Sequence, residues 1–299
     1  MRLDDYRTSD NVEDQGQGSG GGGFGGGGGG GGGIFGLLFG IVASRFGIGG
    51  IVVLVLGAML FGMNPLSMLG GGGTTSTQPA RTTGESAAQV CTSEPAKKFS
   101  CQVLASTEDT WTKLFAERGQ QYTPAGLSFY GGSGRSGCGA AQSAMGPFYC
   151  PTDKKIYLDT SFYGELQNRF GAPGDFAQAY VIAHEVGHHI QDLTGTLDKA
   201  RQVQDGASRT AGNAEQVKVE LQADCYAGVW AARNPNLMSP GDVEEGLRAA
   251  AAIGDDTLQR EAQGRVTPDS FTHGSAAQRQ QWLQRGLTTG DPAQCDTFA

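Results

Sequence analysis

No cysteine precedes Cys91, and no Cys-x-x-Cys pair occurs anywhere in the 299 residues. That argues against a zinc site built from closely spaced thiolates. Cations are in deficit: 22 Lys and Arg stand against 30 Asp and Glu, a net charge of −8. No basic stripe or nucleic-acid motif is visible, so nucleic acid is not expected as a partner. The mild acidity reads as solubility. Charge is missing altogether from Phe46 to Leu69, and no Lys or Arg follows until Arg81. Histidine is scarce, with four residues, three of them between His184 and His189.

Glycine is in excess, with 50 residues. Gly20 to Gly33 is nearly pure glycine, broken by Phe24. Such a tract buries too little apolar surface to offset the entropy of ordering it. Residues 1–33 are therefore expected to be a disordered cytoplasmic tether. Residues 34–69 form the apolar stretch, densest from Ile48 to Met63. About 20 residues at 1.5 Å rise cross the hydrocarbon layer, so one transmembrane helix is expected over roughly 46–66. It would end near Asn64-Pro65, with Ile34 to Val42 extending it or lying at the interface. A cleaved signal peptide is disfavoured, because the stretch starts too far from Met1 and its apolar core is too long. Arg2, Arg7 and Arg45 precede the span. The positive-inside rule then puts the N-terminus in the cytoplasm and the rest outside the cell membrane.

Residues 70–90, rich in Gly, Thr and Ser, read as a linker. The folded domain is expected over 91–299. Its six cysteines, Cys91, Cys101, Cys138, Cys150, Cys225 and Cys295, all follow the apolar stretch. An even count on one side of a span suggests disulfides in an oxidising compartment. The connectivity is not readable from sequence. Cys91–Cys101 and Cys138–Cys150 would make local loops, leaving Cys225 with Cys295. Free, buried thiols are the alternative.

Within the domain, Ser106 to Arg118 reads as a helix capped by Ser106. Leu127 to Tyr130 reads as a short strand. Phe148 to Cys150 and Ile156 to Leu158 flank a turn and read as a hairpin. Ser161 to Phe170 is a short helix. A helix follows from a cap at Asp175, with Gln178 as capping-box partner, to a stop near Gly195. After a mostly loop stretch to Gly212, Asn213 caps a long helix with Gln216 three residues on. Ser239-Pro240 starts another helix, and Ser275 to Arg285 forms the last. Strands followed by helices indicate an α+β class.

The chemistry sits in His184-Glu185-Val186-Gly187-His188-His189. Residues four apart on a helix share a face, so the imidazoles of His184 and His188 can grip one Zn²⁺. Glu185 can reach the metal's water and serve as general base. Gly187 would let another backbone come close. A catalytic zinc takes three protein ligands and leaves one position open. The candidate third ligand is Glu220, and Asp224, four residues on, would accept an imidazole N–H, most simply from His184. A solvated acidic face is the bland alternative, but both residues lie among apolar neighbours. Ala223, Ala227 and Gly228 would allow close helix packing. His189 points about 100° away round the helix and is assigned packing or hydrogen bonding. His273 could stabilise an oxyanion, with Arg279 supporting it or the substrate. A structural His at a loop–helix junction is the competing reading.

Together these residues resemble the bacterial neutral zinc metallopeptidases of the YpfJ type, in the zincin superfamily. The likeness covers Arg7-Thr8-Ser9-Asp10-Asn11-Val12-Glu13-Asp14, the apolar span, the His184 to His189 stretch and Glu220 to Asp224. It implies a zincin-like fold, with zinc between two helices below a small sheet. It also implies His184, His188 and Glu220 as ligands and Glu185 as the catalytic residue. A more distant similarity is to membrane gluzincin proteases of the HtpX and CAAX kind, which pair such a helix with a late His…Arg element. His273 and Arg279 have that separation here. Gly274 stands where those proteins usually have Pro, and their several spans are missing.

The expected protein is thus a membrane-anchored peptidase, with one Zn²⁺ and peptides or proteins as substrates. An extended peptide would pair near Ile156 to Leu158. A catalytically silent zinc-binding scaffold of the cell envelope is the alternative.

Overall fold

A computed structural model of the chain describes residues 1–17 and 83–299. Its main sheet has four strands in the order β1 (Val12–Gln17), β2 (Gly126–Gly131), β6 (Lys155–Leu158), β5 (Phe148–Cys150). The first three run parallel, and β5 is antiparallel to β6 as the first strand of a hairpin. Side chains alternate faces along a strand. Leu127, Phe129, Ile156 and Leu158 accordingly face the helices and enter the main core. Tyr130 and Tyr157 face the other way, onto Cys150 and Ala141. A small hairpin of β3 (Ser133–Ser136) and β4 (Gly139–Gln142) stands apart from the main sheet.

Residues 1–17, expected to be disordered, are ordered, and β1 is paired along β2. No hydrophobic alternation announces this strand, because polar pairs hold it. Buried Glu108 accepts from Ser9 Oγ at 2.5 Å, Asn11 Nδ2 at 2.8 Å and Arg7 Nη2 at 3.0 Å. Lys155 Nζ reaches Glu13 at 2.8 Å, and Lys97 Nζ reaches Asp14 at 2.8 Å. The charged N-terminal motif is thus a docking sequence. The chain returns at Thr83, whose N–H donates to the Asp14 carbonyl at 2.8 Å.

That contact corrects the expected topology. One crossing between residues 17 and 83 would put β1 and β2 on opposite sides of a bilayer, yet they share a sheet. A cytoplasmic N-terminus with the domain outside is incompatible with this fold. The expected span at 46–66 and the greater part of the expected linker lie outside the described residues. Among the described residues, no helix is long and apolar enough to cross a membrane.

Helices cover the sheet's inner face. α1 (Ala87–Ser93) breaks at extended Glu94, and Pro95 opens α2 (Pro95–Ala116) at a position where its missing N–H costs nothing. This helix starts well before Ser106, which is buried in its interior and accepts from Trp230 Nε1 at 3.0 Å instead of capping. α3 is Ser161–Asn168. α4 (Asp175–Leu193) has Gly174 as its cap residue, so Asp175 is its first helical residue and the expected capping box is not made. Gly195, at φ +73°, follows its end as expected. α5 (Thr196–Asp205) fills most of the supposed loop.

The long helix α6 (Arg209–Arg233) is capped by Ser208, five residues before the expected cap at Asn213. Asn213 lies inside it and donates to Asp269 O. α7 (Asp242–Ala252), α8 (Asp255–Gln263) and α9 (Ala276–Thr289) complete the domain. Phe176 of α4 stacks on Trp230 of α6 with centroids 6.2 Å apart, and both are fully buried. Burying an aromatic of this kind contributes about 1.5–3 kcal/mol.

All six cysteines are paired, as Cys91–Cys101, Cys138–Cys150 and Cys225–Cys295. The first staples α1 to α2, the second ties the small hairpin to β5, and the third fastens the C-terminal segment to α6.

Candidate metal centre

Two helices meet unusually closely at the site. A Cβ on Gly187 of α4 would lie 2.9 Å from Ala223 Cα of α6. Gly228 of α6 is equally hemmed in by the backbone of α9 at Leu283 to Leu287. The small residues noted in the sequence therefore serve as the contact points of three helices.

This closeness brings the separated ligand candidates together. Glu220 Oε2 lies 3.2 Å from His184 Nε2 and 3.6 Å from His188 Nε2. Ligand atoms of the three residues all fall within 4.8 Å of one another. Bonds of about 2 Å at tetrahedral angles separate ligand atoms by about 3.3 Å, so the donor set fits one zinc. The imidazoles stand edge to face with centroids 4.8 Å apart. Glu185 follows His184 on α4 and is buried, 7 % exposed. Among the described residues, one other cluster has ligand-like spacing, Asp175, Asp242 and Glu245, and the Met1 nitrogen lies 2.5 Å from Asp175 within it.

Each ligand has an outer partner. His184 Nδ1 donates to Asp224 Oδ1 at 2.8 Å, as expected from sequence. His188 Nδ1 donates to Gln191 Oε1 at 2.9 Å. Glu220 Oε1 accepts from Gln216 Nε2 at 3.0 Å. Both Nδ1–H groups are thereby occupied, and both Nε2 atoms face the Glu220 carboxylate, the atoms a metal would take once deprotonated. Gln191 and Gln216 had not been singled out as supports. Their signal was available: Gln191 is three residues after His188, and Gln216 four before Glu220, each on the same helix face.

Electrostatics follow from these pairs. Burial opposes charge on both imidazoles, but Asp224 beside His184 and Glu220 beside His188 outweigh it. Both are raised, His184 to about 10. Burial likewise opposes the charge on Glu220, yet the cations of His188 and His184 hold it well below the usual carboxylate range. Asp224 sits at about 2, because Arg279 and His184 overcome its burial.

The hydrogen bonds of Arg279 go to Asp224, Tyr180 and the Ile253 carbonyl, not to His273. Arg279 is 2 % exposed and grips Asp224 with Nε and Nη2, both at 2.9 Å. Tyr180 OH adds a bond to Asp224 Oδ1 at 2.6 Å. Arg279 therefore supports the residue that orients His184.

His273 is half exposed and near enough that its charge acts on Glu220. Asp255, at the start of α8, organises its loop. Asp255 Oδ2 accepts the N–H groups of Thr272, His273 and Gly274 at 2.7, 2.6 and 3.1 Å. Its Oδ1 lies 3.3 Å from His273 Nδ1. Burial pulls the imidazole's pKa down, but Asp255 and Glu220 leave it raised overall. Nothing local in the sequence marked Asp255, because its partners lie well over ten residues later.

His189 turns away from the ligands, as expected. Its Nε2 donates to Thr123 O at 2.7 Å, and Tyr149 OH lies 2.9 Å from Nδ1. Burial lowers its pKa. Finally, β6 (Ile156 to Leu158) is an interior strand between β2 and β5, so no peptide can pair there. Among the described residues, the outer strands of the sheet are β1 and β5.

The uncharacterized protein YpfJ of Escherichia coli K12 is 48 % identical over 256 residues, covering 84 % of this chain and 87 % of its own length. An uncharacterized protein of Mycobacterium tuberculosis H37Rv is 42 % identical over 264 residues, covering 81 % of this chain and 85 % of its own. An uncharacterized protein of Mycobacterium bovis matches to the same extent, 42 % over 264 residues, with the same 81 % and 85 % coverage. No solved structure matches the chain. The family model described as putative neutral zinc metallopeptidase matches residues 1–298, and the chain belongs to that family.

Proposed function

We propose that this protein hydrolyses peptide bonds with one zinc held by His184, His188 and Glu220. The observation that carries the reading is the pair of imidazole Nε2 atoms converging on a carboxylate from another helix, at 3.2 and 3.6 Å, with Glu185 adjoining. When bound, zinc supplies Lewis acidity towards a carbonyl and lowers the pKa of its water to about 7. Glu185 takes the proton of the attacking water and delivers it to the leaving amine. His273, its ring directed by Asp255, donates to the oxyanion that forms on the scissile carbonyl. Asp224, anchored by Arg279 and Tyr180, fixes the His184 ring. The outer edge of β5 (Phe148–Cys150) offers backbone groups to an extended substrate in place of the interior β6.

Glu185→Gln tests this directly. The variant should bind zinc with wild-type stoichiometry and hydrolyse a mixed peptide library at least about 10²-fold more slowly. Hydrolysis that persists in Glu185→Gln, or after complete chelation of the wild-type chain, refutes the reading. His273→Ala should lower kcat by roughly 10²–10³ with zinc content unchanged.

The apolar stretch at 34–69 is the membrane attachment in this reading, with both its flanks on one side of the bilayer. Support comes from its hydropathy and from the shared sheet of β1 and β2. Three disulfides favour the oxidising side.

A further inference from the structure

We propose that Gln191 is the positioning residue of His188, and that its direction is set by a one-way chain of hydrogen bonds ending on the disulfide-fastened C-terminal segment. The inference rests on the zinc reading of the site above.

An amide side chain can be turned either way about its terminal bond, and only its partners decide which end is oxygen. At Gln191 a backbone carbonyl decides. Gln191 Nε2 donates to Val219 O at 2.7 Å. A carbonyl can only accept, so the nitrogen end must face α6 and the oxygen end must face His188. The same nitrogen gives its second hydrogen to Gln222 Oε1 at 3.0 Å. Gln222 is oriented by the same logic, because its Nε2 donates to Cys295 O at 3.0 Å. Donation therefore runs in one direction, from His188 Nδ1 to Gln191, from Gln191 to Gln222, and from Gln222 to the Cys295 carbonyl.

The consequence reaches the ligand atom. With Gln191 Oε1 fixed as an acceptor, Nδ1 of His188 must carry its hydrogen, and on the neutral ring that a metal binds the lone pair is then on Nε2. The ring cannot adopt the other tautomer without opposing two acceptors. Asp224 does this for His184 with a charge. Gln191 does it for His188 with a neutral group locked by backbone. Gln191 is fully buried, Gln222 is 7 % exposed and Cys295 is fully buried, so water does not compete. Cys295 is held in place by its bond to Cys225, which neighbours Asp224 on α6. One short stretch of α6, residues 219–225, thus carries the third ligand, the carboxylate that orients His184, the groups that orient Gln191 and the anchor of the C-terminal segment.

The test compares Gln191→Met, which keeps length and removes both polar ends, with Gln191→Glu, which keeps the acceptor. Zinc affinity is read by competition with a chromogenic chelator, with no activity required. Outer-partner losses weaken metal sites roughly 10–100-fold. Gln191→Met should lose zinc affinity in that range, and Gln191→Glu should recover most of it. Gln222→Met, one bond further out, should show a smaller loss. Long-range ¹H–¹⁵N spectra of the zinc-loaded chain should show His188 protonated at Nδ1 in the wild type and a weakened or exchanging Nδ1–H in Gln191→Met. A folded Gln191→Met that binds zinc within about threefold of wild type overturns the inference and leaves the zinc reading standing. A wild-type chain that binds no zinc overturns both.

Discussion

Gly187→Ala sets two opposing effects against each other. In a helix interior Ala is favoured over Gly by about 1 kcal/mol, so an unencumbered site would gain stability. Gly187 is not unencumbered. The added Cβ would lie 2.9, 3.0 and 3.1 Å from Cα, O and Cβ of Ala223, most of it backbone that cannot rotate aside. Ordinary carbon contacts are about 3.5–4.0 Å, so α4 and α6 must part by roughly 0.6 Å. Overpacking of this kind costs about 1–3 kcal/mol, leaving a net loss of up to about 2 kcal/mol. The larger effect should fall on the metal. His184 and His188 ride on α4 and Glu220 on α6, and zinc tolerates about 0.2 Å of error in a ligand distance. Zinc affinity should fall about tenfold or more, or about 1.4 kcal/mol. Thermal unfolding with excess chelator reads the first effect, and chelator competition reads the second. A variant that melts about 2–4 °C higher with unchanged zinc affinity would refute the close approach, because only helix propensity would then be at work.

Asp224→Ala leaves the buried Arg279 charge unpaired and should destabilise the chain by roughly 3–5 kcal/mol in denaturant titration. Adding Arg279→Met should restore part of that loss; no recovery would mean the pair is not what the structure buries. For the metal-free chain, Asp224 is depressed to about 2, so its contribution is full above the usual carboxylate pKa and lost as pH falls towards 2. His184 is raised to about 10, so its contribution is full below the ordinary imidazole pKa and lost as pH rises through about 10. Stability measured against pH should therefore peak between about 4 and 6.5, and excess zinc should extend the plateau upward, because zinc takes deprotonated imidazoles. Epitopes placed near Arg2 and near Arg209 should be accessible from the same side of intact cells. Deleting residues 1–17 should leave the domain insoluble, since it strips the edge of β2 and strands buried Glu108.

The helical signature of His184 to His188 was complete in the sequence because both ligands belong to one turn of one helix. Glu220 and Asp224 were legible for the same reason: a spacing of four puts both on one face. Gly187 announced a close neighbour, though not which one. The core strands β2, β5 and β6 showed themselves through local apolar character, and the α+β class through the order of elements.

What escaped was whatever depended on partners distant in the chain. β1 has one apolar residue at Val12 and is held by Glu108, Lys97 and Lys155, none of which a local pattern can reveal. Its pairing with β2 runs against a topology that the placement of charge and of cysteines supports in the sequence. Arg279 reads from the sequence as a support of His273 or of the substrate, because its separation from His273 is visible there, whereas its burial against Asp224 is not. Asp255 found its role only when α8 was folded against the loop before α9. Ligand chemistry follows residue identity and short-range spacing, both written in the chain. Which carboxylate meets which imidazole follows from how far apart two helices lie, and that distance is set by Gly187 resting on Ala223.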